Sequence, residues 1–137
     1  MSIDQSYREP QVSGPQSQEQ LDSLNRMLAK KERQEGVVKG YHGTSASLGR
    51  EIMEGGFNDQ RDAEGGFGIY FWDEEVANNA RWHGQDKAKK LGENEYVVIE
   101  AQLNDPRLDF LMGRPQWVAN RDNAKILNIT YYKLEER

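Results

Sequence analysis

The chain has 137 residues, no cysteine and two histidines, and its formal net charge is −5. The lack of cysteine excludes disulfides, thiolate metal sites and a cysteine nucleophile, and two histidines are too few for an all-histidine metal site, so we expect no metal. The length is that of one domain, and no apolar run approaches the roughly 20 residues of a membrane-spanning helix, so we expect no membrane partner. The acidic balance argues against strong nonspecific binding to nucleic acids, although a local basic patch would permit it.

The first part of the chain, 1–19, is predicted to be a disordered leader. It is rich in Gln and Ser, carries few apolar side chains and shows no periodicity, so burial cannot offset the entropy cost of ordering it. The first twenty residues contain no apolar segment and therefore do not form a Sec-type signal peptide. A passive tail and a functional leader are both open.

A first amphipathic helix is predicted over residues 20–35. Ser17, with Gln20 three residues later, fits a capping box, and Gly36 is typical of a helix end. One face carries the apolar side chains Leu21, Leu24 and Leu28. This helix is expected to cover the edge of the core, with binding of a partner as the alternative.

The remainder, 36–137, alternates helical and strand patterns and is expected to form one domain. Helices are predicted over 45–54 and 74–91; Asp73 caps the second, which has on its inner face Val76, Ala77 and Ala80. Strands are predicted over 37–42, 67–72, 96–103, 107–111, 117–120 and 126–134, with a loop at 112–115. Early helices followed by several strands predict an α+β fold built on antiparallel sheet.

Three places in the chain carry residues suited to chemistry, and the first is the tripeptide His42-Gly43-Thr44 at a predicted strand end. A glycine there lets a ligand approach the backbone closely. The histidine and threonine beside it offer hydrogen bonds to hydroxyl or amide groups. The plain alternative is a turn with a satisfied histidine.

The second place is the GGFGIYFW motif that ends at Trp72. Glycines directly before an aromatic strand indicate a backbone held close to something flat, and Gly68 is the last of them. Tyr70 and Trp72 are predicted on one face of the strand, with Ile69 and Phe71 on the other. An ordinary aromatic core strand is the alternative. The spacing fits neither the dinucleotide-binding glycine motif nor a phosphate-binding loop.

The third place is a late polar group formed by Gln116 with two glutamates, Glu95 and Glu100. Glu100 lies in the middle of a predicted strand, so its carboxylate faces either open solvent or a site. Solvated side chains are the plain alternative for both glutamates.

Three segments of the chain, together with the helices between them, resemble the ADP-ribosyltransferase superfamily. In chain order these segments are YHGT, GGFGIYFW and YVVIEAQL. The similarity is to the branch of diphtheria toxin and the poly(ADP-ribose) polymerases, which has a His-Tyr-Glu triad. It covers about residues 37–134. The resemblance implies a split antiparallel β-sandwich with flanking helices, a catalytic domain over 36–137, NAD+ bound in the cleft as a substrate, and no metal.

The resemblance also implies a role for each motif residue. His42 would hold the ribose 2′-hydroxyl, the backbone of Gly43 would bind the nicotinamide carboxamide, and Thr44 matches the small hydroxyl residue beside it. Tyr70 would stack on the nicotinamide ring, with Gly68 close to the cofactor. On the following helix, the nearest candidates for a second closing aromatic side chain and for a small polar residue at the carboxamide are Trp82 and Asn79.

The third triad position departs from the family pattern. The family glutamate opens the strand before the closing strand, and that position here holds Gln116. Glu100 is the alternative, although its strand resembles the preceding one, where family members carry a non-catalytic glutamate. Loss of nicotinamide leaves an oxocarbenium-like ribosyl centre, which a carboxylate stabilises while it accepts a proton. An amide can orient ribose hydroxyls but cannot act as a base, so single transfer or hydrolysis is expected rather than poly(ADP-ribose) elongation.

The leading hypothesis is a mono-ADP-ribosyltransferase that uses NAD+ and modifies a macromolecular acceptor, most simply a protein. The alternatives are an NAD+ glycohydrolase and a catalytically inactive module that binds ADP-ribose-type ligands or a protein. An RNA 2′-phosphotransferase is disfavoured because His83 stands in no suitable motif. The expected location is the cytoplasm or, for a secreted effector or toxin, the cytosol of a target cell.

Overall fold

The computed structural model describes residues 17–63, 68–111 and 113–134, and within these ranges the chain forms three helices, six strands and two short 3₁₀ turns. The helices are α1 (Gln18–Arg33), α2 (Ala46–Gly55) and α3 (Asn78–Leu91). The strands are β1 (Val37–Ser45), β2 (Ile69–Asp73), β3 (Glu95–Asn104), β4 (Arg107–Leu111), β5 (Arg114–Ala119) and β6 (Ala124–Lys133). The prediction of an α+β fold on antiparallel sheet is confirmed. Residues 1–16 of the predicted leader and residues 65–67 of the second motif lie outside the described residues.

The six strands form one antiparallel sheet in the order β4-β5-β2-β1-β3-β6. β1 and β3 pair over nine residues, but β1 and β2 meet in only two residue pairs, Gly40 with Asp73 and Tyr41 with Trp72. Beyond them the two strands diverge, and Ile69–Phe71 pair with β5 instead. The sheet therefore has two halves joined by a narrow seam, and a cleft opens where β1 and β2 part.

Alternate residues of the strands face two separate apolar clusters, as the period-2 pattern predicts for the second motif. The larger cluster joins the sheet to α1 and α2 and contains, among others, Met27, Val38, Ile52, Phe57, Ile69, Phe71, Val97, Ile99, Leu103 and Trp117. The smaller one joins the sheet to α3 and contains Trp72, Ala80, Ala88, Tyr96 and Val98. Phe71 and Trp72 thus belong to opposite faces.

Helix α1 begins at Gln18, where the Ser17 side chain accepts the Gln20 amide at 3.1 Å, so the predicted N-cap is confirmed and the helix starts two residues earlier than expected. Its predicted apolar face is partly wrong. Leu21 and Leu28 are 37% and 47% exposed, whereas the buried apolar side chain is Met27. The helix is rotated about its axis relative to the predicted face, because the Lys30 side chain also points toward the sheet and contacts Asp73.

The predicted second helix, 74–91, is interrupted. Asp73 caps a 3₁₀ turn, Glu74–Val76, and α3 starts after it without a side-chain cap. Val76 is therefore exposed rather than on the inner face, and Ala77 is half-buried, while Ala80 is buried as predicted. The inner face of α3 is a row of small residues, Ala80, Gly84 and Ala88, which lets the helix lie directly on β1.

Three strand boundaries also differ from the prediction. β1 continues to Ser45, so His42-Gly43-Thr44 lies inside the strand and not at its end. β5 begins at Arg114, which reduces the predicted loop at 112–115 to a two-residue turn. β6 begins at Ala124, after a short 3₁₀ turn. The two-residue turn fixes the register of β4 against β5, with Asp109 opposite Gln116.

Candidate functional site

His42 lies just beyond the seam, on the part of β1 that no longer pairs with β2. Its Nδ1 atom is 3.0 Å from the main-chain carbonyl oxygen of Tyr70, so the imidazole bridges the gap between the diverging strands. Because a carbonyl oxygen only accepts, Nδ1 carries the proton and Nε2 of the neutral ring is an acceptor. Phe57 and Phe71 contact the ring, with centroids 5.5 and 5.7 Å away, and hold its orientation.

Gly43 has a packing role that the sequence analysis did not foresee. A Cβ atom at this position would overlap the carbonyl oxygen of Ala80 on α3. Glycine is therefore required so that α3 can cross β1 at the floor of the cleft, whether or not a ligand approaches the same backbone. The next residue, Thr44, is 2% exposed, and Ser45 then caps α2 by accepting the Leu48 amide at 3.3 Å.

Tyr70 and Trp72 bring two aromatic rings to the cleft side of β2, and each is 7% exposed. The Tyr70 hydroxyl donates to the Asp109 carboxylate at 3.2 Å. The Trp72 indole N–H donates to Nδ1 of His83 at 3.4 Å. Gly68 precedes them with a φ of +137°, and a Cβ there would lie 2.7 Å from Val118, so close strand packing explains this glycine.

These residues line a cavity of about 270 Å³ at the point where the strands part. The motif residues among its walls are His42, Gly43, Thr44, Tyr70 and Trp72. The remaining walls include the charged side chains Arg61, Asp62, Asp86, Lys87 and Lys90. Both predicted motifs therefore contribute to one cleft.

The charges on the cleft wall are partly paired. Arg61 contacts Asp62 at 2.9 Å and Glu51 at 3.2 Å, and the hydrogen bond to Asp62 raises the pKa of the guanidinium. Lys90 forms an ion pair with Asp86 at 3.1 Å. Lys87 makes no ion pair with the residues that the structure describes. The cleft wall on α3 therefore offers positive charge to an anionic ligand.

A second cavity adjoins the first and shares with it Trp72, His83 and Asp86. It holds the other predicted site residues, Gln116, Asn79 and Trp82. Trp82 is 72% exposed, so its ring stands at the mouth of this cavity. The predicted residues thus fall into two neighbouring groups, joined by Trp72 and His83; Gly68 lines neither cavity.

Gln116 is the most unusual polar residue of the site. It is 1% exposed, and its Oε1 atom has no hydrogen-bond partner among the described residues. A buried unpaired amide oxygen costs roughly 1–3 kcal/mol. Gln116 lines the second cavity, where its side-chain amide is suited to hydrogen-bond a ligand hydroxyl or amide.

The alternative catalytic residue, Glu100, is not brought to the cleft. Its carboxylate accepts the Tyr41 hydroxyl at 3.3 Å and contacts Lys39 at 3.3 Å. Burial and the neighbouring Glu100 charge raise the pKa of Tyr41. Glu95 lies at a separate cavity near the end of β6. The polar group that the sequence suggested is therefore dispersed.

Two residues near the site were missed by the sequence analysis. Asp109 accepts the Tyr70 hydroxyl and stands opposite Gln116 in the sheet, and His83 lines both cavities. The short turn between the strands of residues 107–111 and 114–119 is the signal that could have found Asp109, since a two-residue turn sets the pairing.

Within the described ranges, no group of three or more His, Asp or Glu side chains is arranged to hold a metal ion. No helix of the described part is long and apolar enough to cross a membrane. Comparisons of the chain with models of protein families, with curated proteins and with solved structures give no match. The functional argument therefore rests on the residues and the geometry of the cleft.

Proposed function

We propose that the protein is an NAD+-dependent mono-ADP-ribosyltransferase, which cleaves the bond between nicotinamide and ribose and passes ADP-ribose to a protein acceptor. The observation that carries the proposal is the meeting of two distant motifs in one cleft. His42-Gly43-Thr44 from β1 and Tyr70 from β2 line the same cavity where these strands diverge. The two halves of the six-stranded sheet are joined by only two residue pairs between β1 and β2. This arrangement supports the proposal that the fold is the split sheet of the ADP-ribosyltransferase superfamily.

The groups lining the cleft match the parts of NAD+. Nε2 of His42 is an acceptor for a ribose hydroxyl, because Nδ1 is already bound to the Tyr70 carbonyl. The Tyr70 ring offers a flat surface for the nicotinamide ring. β1 has no strand partner on its β2 side from His42 onward, which leaves main-chain groups near Gly43 outside the sheet ladder and suited to a carboxamide.

The charged wall of the cleft fits the diphosphate of NAD+. Lys87 and Lys90 come from α3 and Arg61 from the loop after α2, all on the same cavity. The exposed Trp82 ring stands beside the second cavity and can close over a bound nicotinamide, with Asn79 at its side. The proposal therefore places nicotinamide in the first cavity between Gly43 and Tyr70, next to the border with the second cavity, and the diphosphate against the charged wall of the first.

Gln116 sets the limit of the chemistry. Its unpaired Oε1 can accept a ribose hydroxyl and orient the sugar. It cannot itself take a proton from an incoming sugar hydroxyl, and we propose single transfer without chain elongation. Such an enzyme would act in a cytosol, either that of its own cell or that of a target cell.

The proposal is tested by nicotinamide release from NAD+, followed by transfer of labelled ADP-ribose to proteins of a lysate. His42→Ala and Tyr70→Ala are expected to lower release by about a hundredfold or more, since each removes a positioning contact. Tyr131→Ala, which changes an exposed tyrosine on β6, is the matched control and should release nicotinamide like the wild type. The proposal fails if both cleft variants keep wild-type turnover, or if the wild type neither releases nicotinamide nor labels a protein.

A second candidate function, NAD+ glycohydrolase, is favoured by the turn between β4 and β5. Only two residues separate Leu111 of β4 from Arg114 of β5, which leaves little surface there for holding a protein acceptor. Release of nicotinamide with an equal amount of free ADP-ribose and no labelled protein would support hydrolysis. Binding of NAD+ without release, unchanged by Gln116→Glu, would instead support an inactive binding module.

A further inference from the structure

The reaction proposed above needs negative charge near the ribosyl centre, and Gln116 does not supply it. Three carboxylates stand close to the cleft but are already engaged by cations. Asp62 is bound by Arg61, Asp73 by Lys30, and the exposed Asp86 by Lys90. A carboxylate that could act on the substrate must come from elsewhere.

Asp109 is a carboxylate that lines neither cavity itself but contacts a side chain that lines the first, Tyr70. It lies on β4 directly opposite Gln116 on β5. Side chains at directly opposed positions share one face of the sheet, with Cβ atoms about 4.5–5.5 Å apart. Its Oδ2 atom accepts the Tyr70 hydroxyl at 3.2 Å. Asp109 therefore joins the β2 and β5 residues of the candidate site from the third strand.

The hydrogen bonds of Asp109 leave capacity for a substrate. Oδ1 accepts the main-chain N–H of Phe110 at 2.8 Å, and Oδ2 accepts Tyr70. A carboxylate has about four lone-pair sites, so each oxygen can accept one more donor. Asp109 is half-buried and forms no ion pair with any residue that the structure describes, so no cation neutralises its charge.

We infer that Asp109 supplies the catalytic carboxylate of this site, while the opposite Gln116 orients the ribose. The inference rests on the proposed function. In the step, the bond from ribose C1′ to the nicotinamide nitrogen breaks, and its electron pair leaves with neutral nicotinamide. A nucleophilic oxygen or nitrogen of the acceptor, or of water, forms the new bond to C1′, and its proton passes to the Asp109 carboxylate and then to solvent.

The test removes the carboxylate at position 109 on β4, restores one at the opposite position 116 on β5, and measures nicotinamide release at saturating NAD+. Asp109→Asn keeps the shape and an oxygen for Tyr70 but removes the charge, and kcat should fall by about a hundredfold with little change in KM. The double variant Asp109→Asn with Gln116→Glu should recover at least about tenfold of this loss. Asp122→Asn, an exposed aspartate after β5, is the matched control.

Two further variants separate catalysis from positioning. Tyr70→Phe removes the hydrogen bond to Asp109 but keeps the ring, and it should lower kcat by less than Asp109→Asn does. Gln116→Glu alone should raise kcat by only a few fold, because a carboxylate is already present; this prediction does not depend on whether Asp109→Asn folds.

Each contrary result has a distinct meaning. Full activity of Asp109→Asn in the presence of an active wild type overturns the inference and leaves the proposed function intact. If Tyr70→Phe loses as much as Asp109→Asn and the double variant recovers nothing, Asp109 only positions Tyr70 and the inference is wrong. A gain of about a hundredfold for Gln116→Glu alone also overturns it. A wild type that releases no nicotinamide overturns the proposed function, and the inference with it.

Discussion

Two buried polar side chains on neighbouring strands, Asp73 and Gln116, are treated in opposite ways by the fold. Each is 1% exposed. Asp73 has both oxygens filled: Oδ1 accepts the Trp117 indole at 2.9 Å, and Oδ2 accepts Lys30 at 2.8 Å and the Glu75 amide at 3.1 Å. Gln116 has an oxygen with no hydrogen-bond partner among the described residues. We propose that the difference separates a structural anchor from a group held ready for a ligand.

The anchor explains why α1 belongs with the sheet. Lys30 is 11% exposed and carries its charge to Asp73 beneath the helix. Lys31 adds a hydrogen bond of 2.8 Å to the carbonyl of Pro106, and the Asp105 amide donates to Gly36 at 2.6 Å. Since every partner of Asp73 is internal and the residue is buried, it offers no accessible group to a ligand.

The largest predicted effect is the loss of this anchor. Asp73→Ala leaves the Trp117 N–H buried without an acceptor and the Lys30 cation with only the longer contact to Glu74, and we expect the free energy of unfolding to fall by about 3–5 kcal/mol. Urea denaturation measures it. Glu74→Gln is the control, because Glu74 contacts the same lysine at 3.7 Å but is 44% exposed, and it should change stability by no more than about 0.5 kcal/mol. Equal losses for the two variants would contradict the anchor role.

The next effect concerns the floor of the cleft. Gly43→Ala forces α3 away from β1, because the new methyl group overlaps the Ala80 carbonyl, and we expect a loss of about 1–3 kcal/mol together with loss of nicotinamide release. Gly55→Ala is the matched control: nothing lies within 4 Å of its added Cβ, so stability should rise by up to about 1 kcal/mol. If thermal unfolding gives Gly43→Ala the same stability as Gly55→Ala, the close contact between Gly43 and the Ala80 carbonyl is not needed.

A substitution of Gln116 is expected to stabilise the protein rather than to destabilise it. Gln116→Leu replaces an unpaired buried amide by an apolar side chain of similar size, so the free energy of unfolding should rise by about 1 kcal/mol. Nicotinamide release should be lost, because no group then holds the ribose hydroxyl. Denaturant unfolding and release are measured on the same preparation. A destabilised Gln116→Leu would mean that the amide is paired in the free protein and would remove the contrast with Asp73.

The smallest effect on stability comes from the Glu93 carboxylate, which accepts hydrogen bonds from Ser47. Hydrogen bonds from the Ser47 side chain and amide, with help from the Arg50 charge, hold the pKa of Glu93 below its ordinary value of 4.5. The unfolded chain therefore binds this proton first, so the contribution is fully present above pH 4.5 and is lost as the pH falls through the lower, folded pKa. Glu93→Gln should remove this contribution to the loss of unfolding free energy at acidic pH, an effect below about 1 kcal/mol. An unchanged loss at acidic pH would contradict it.

Local patterns predicted much of the fold and several of the residues that line the cleft. β3 could be predicted because its apolar run is long, and His42 and Tyr70 could be found because each sits in its own motif. The inward face of α1 could not, since Lys30 is drawn inside by Asp73, a partner that no periodicity reveals. The role of Asp109 depends on strand register and on a hydrogen bond across the sheet, which become visible only once the strands are paired.

The most direct measurement follows the side-chain amide resonances of Gln116 by NMR while labelled protein is titrated with nicotinamide and ADP-ribose together. These are the products of NAD+ hydrolysis, and on the proposed function they bind the site without turnover. We predict that the Gln116 signals shift in step with saturation, while those of Gln102, which lines neither cavity, stay unchanged. Saturable binding that leaves the Gln116 signals unmoved, or no binding at all, would contradict the claim that this buried amide is held ready for NAD+.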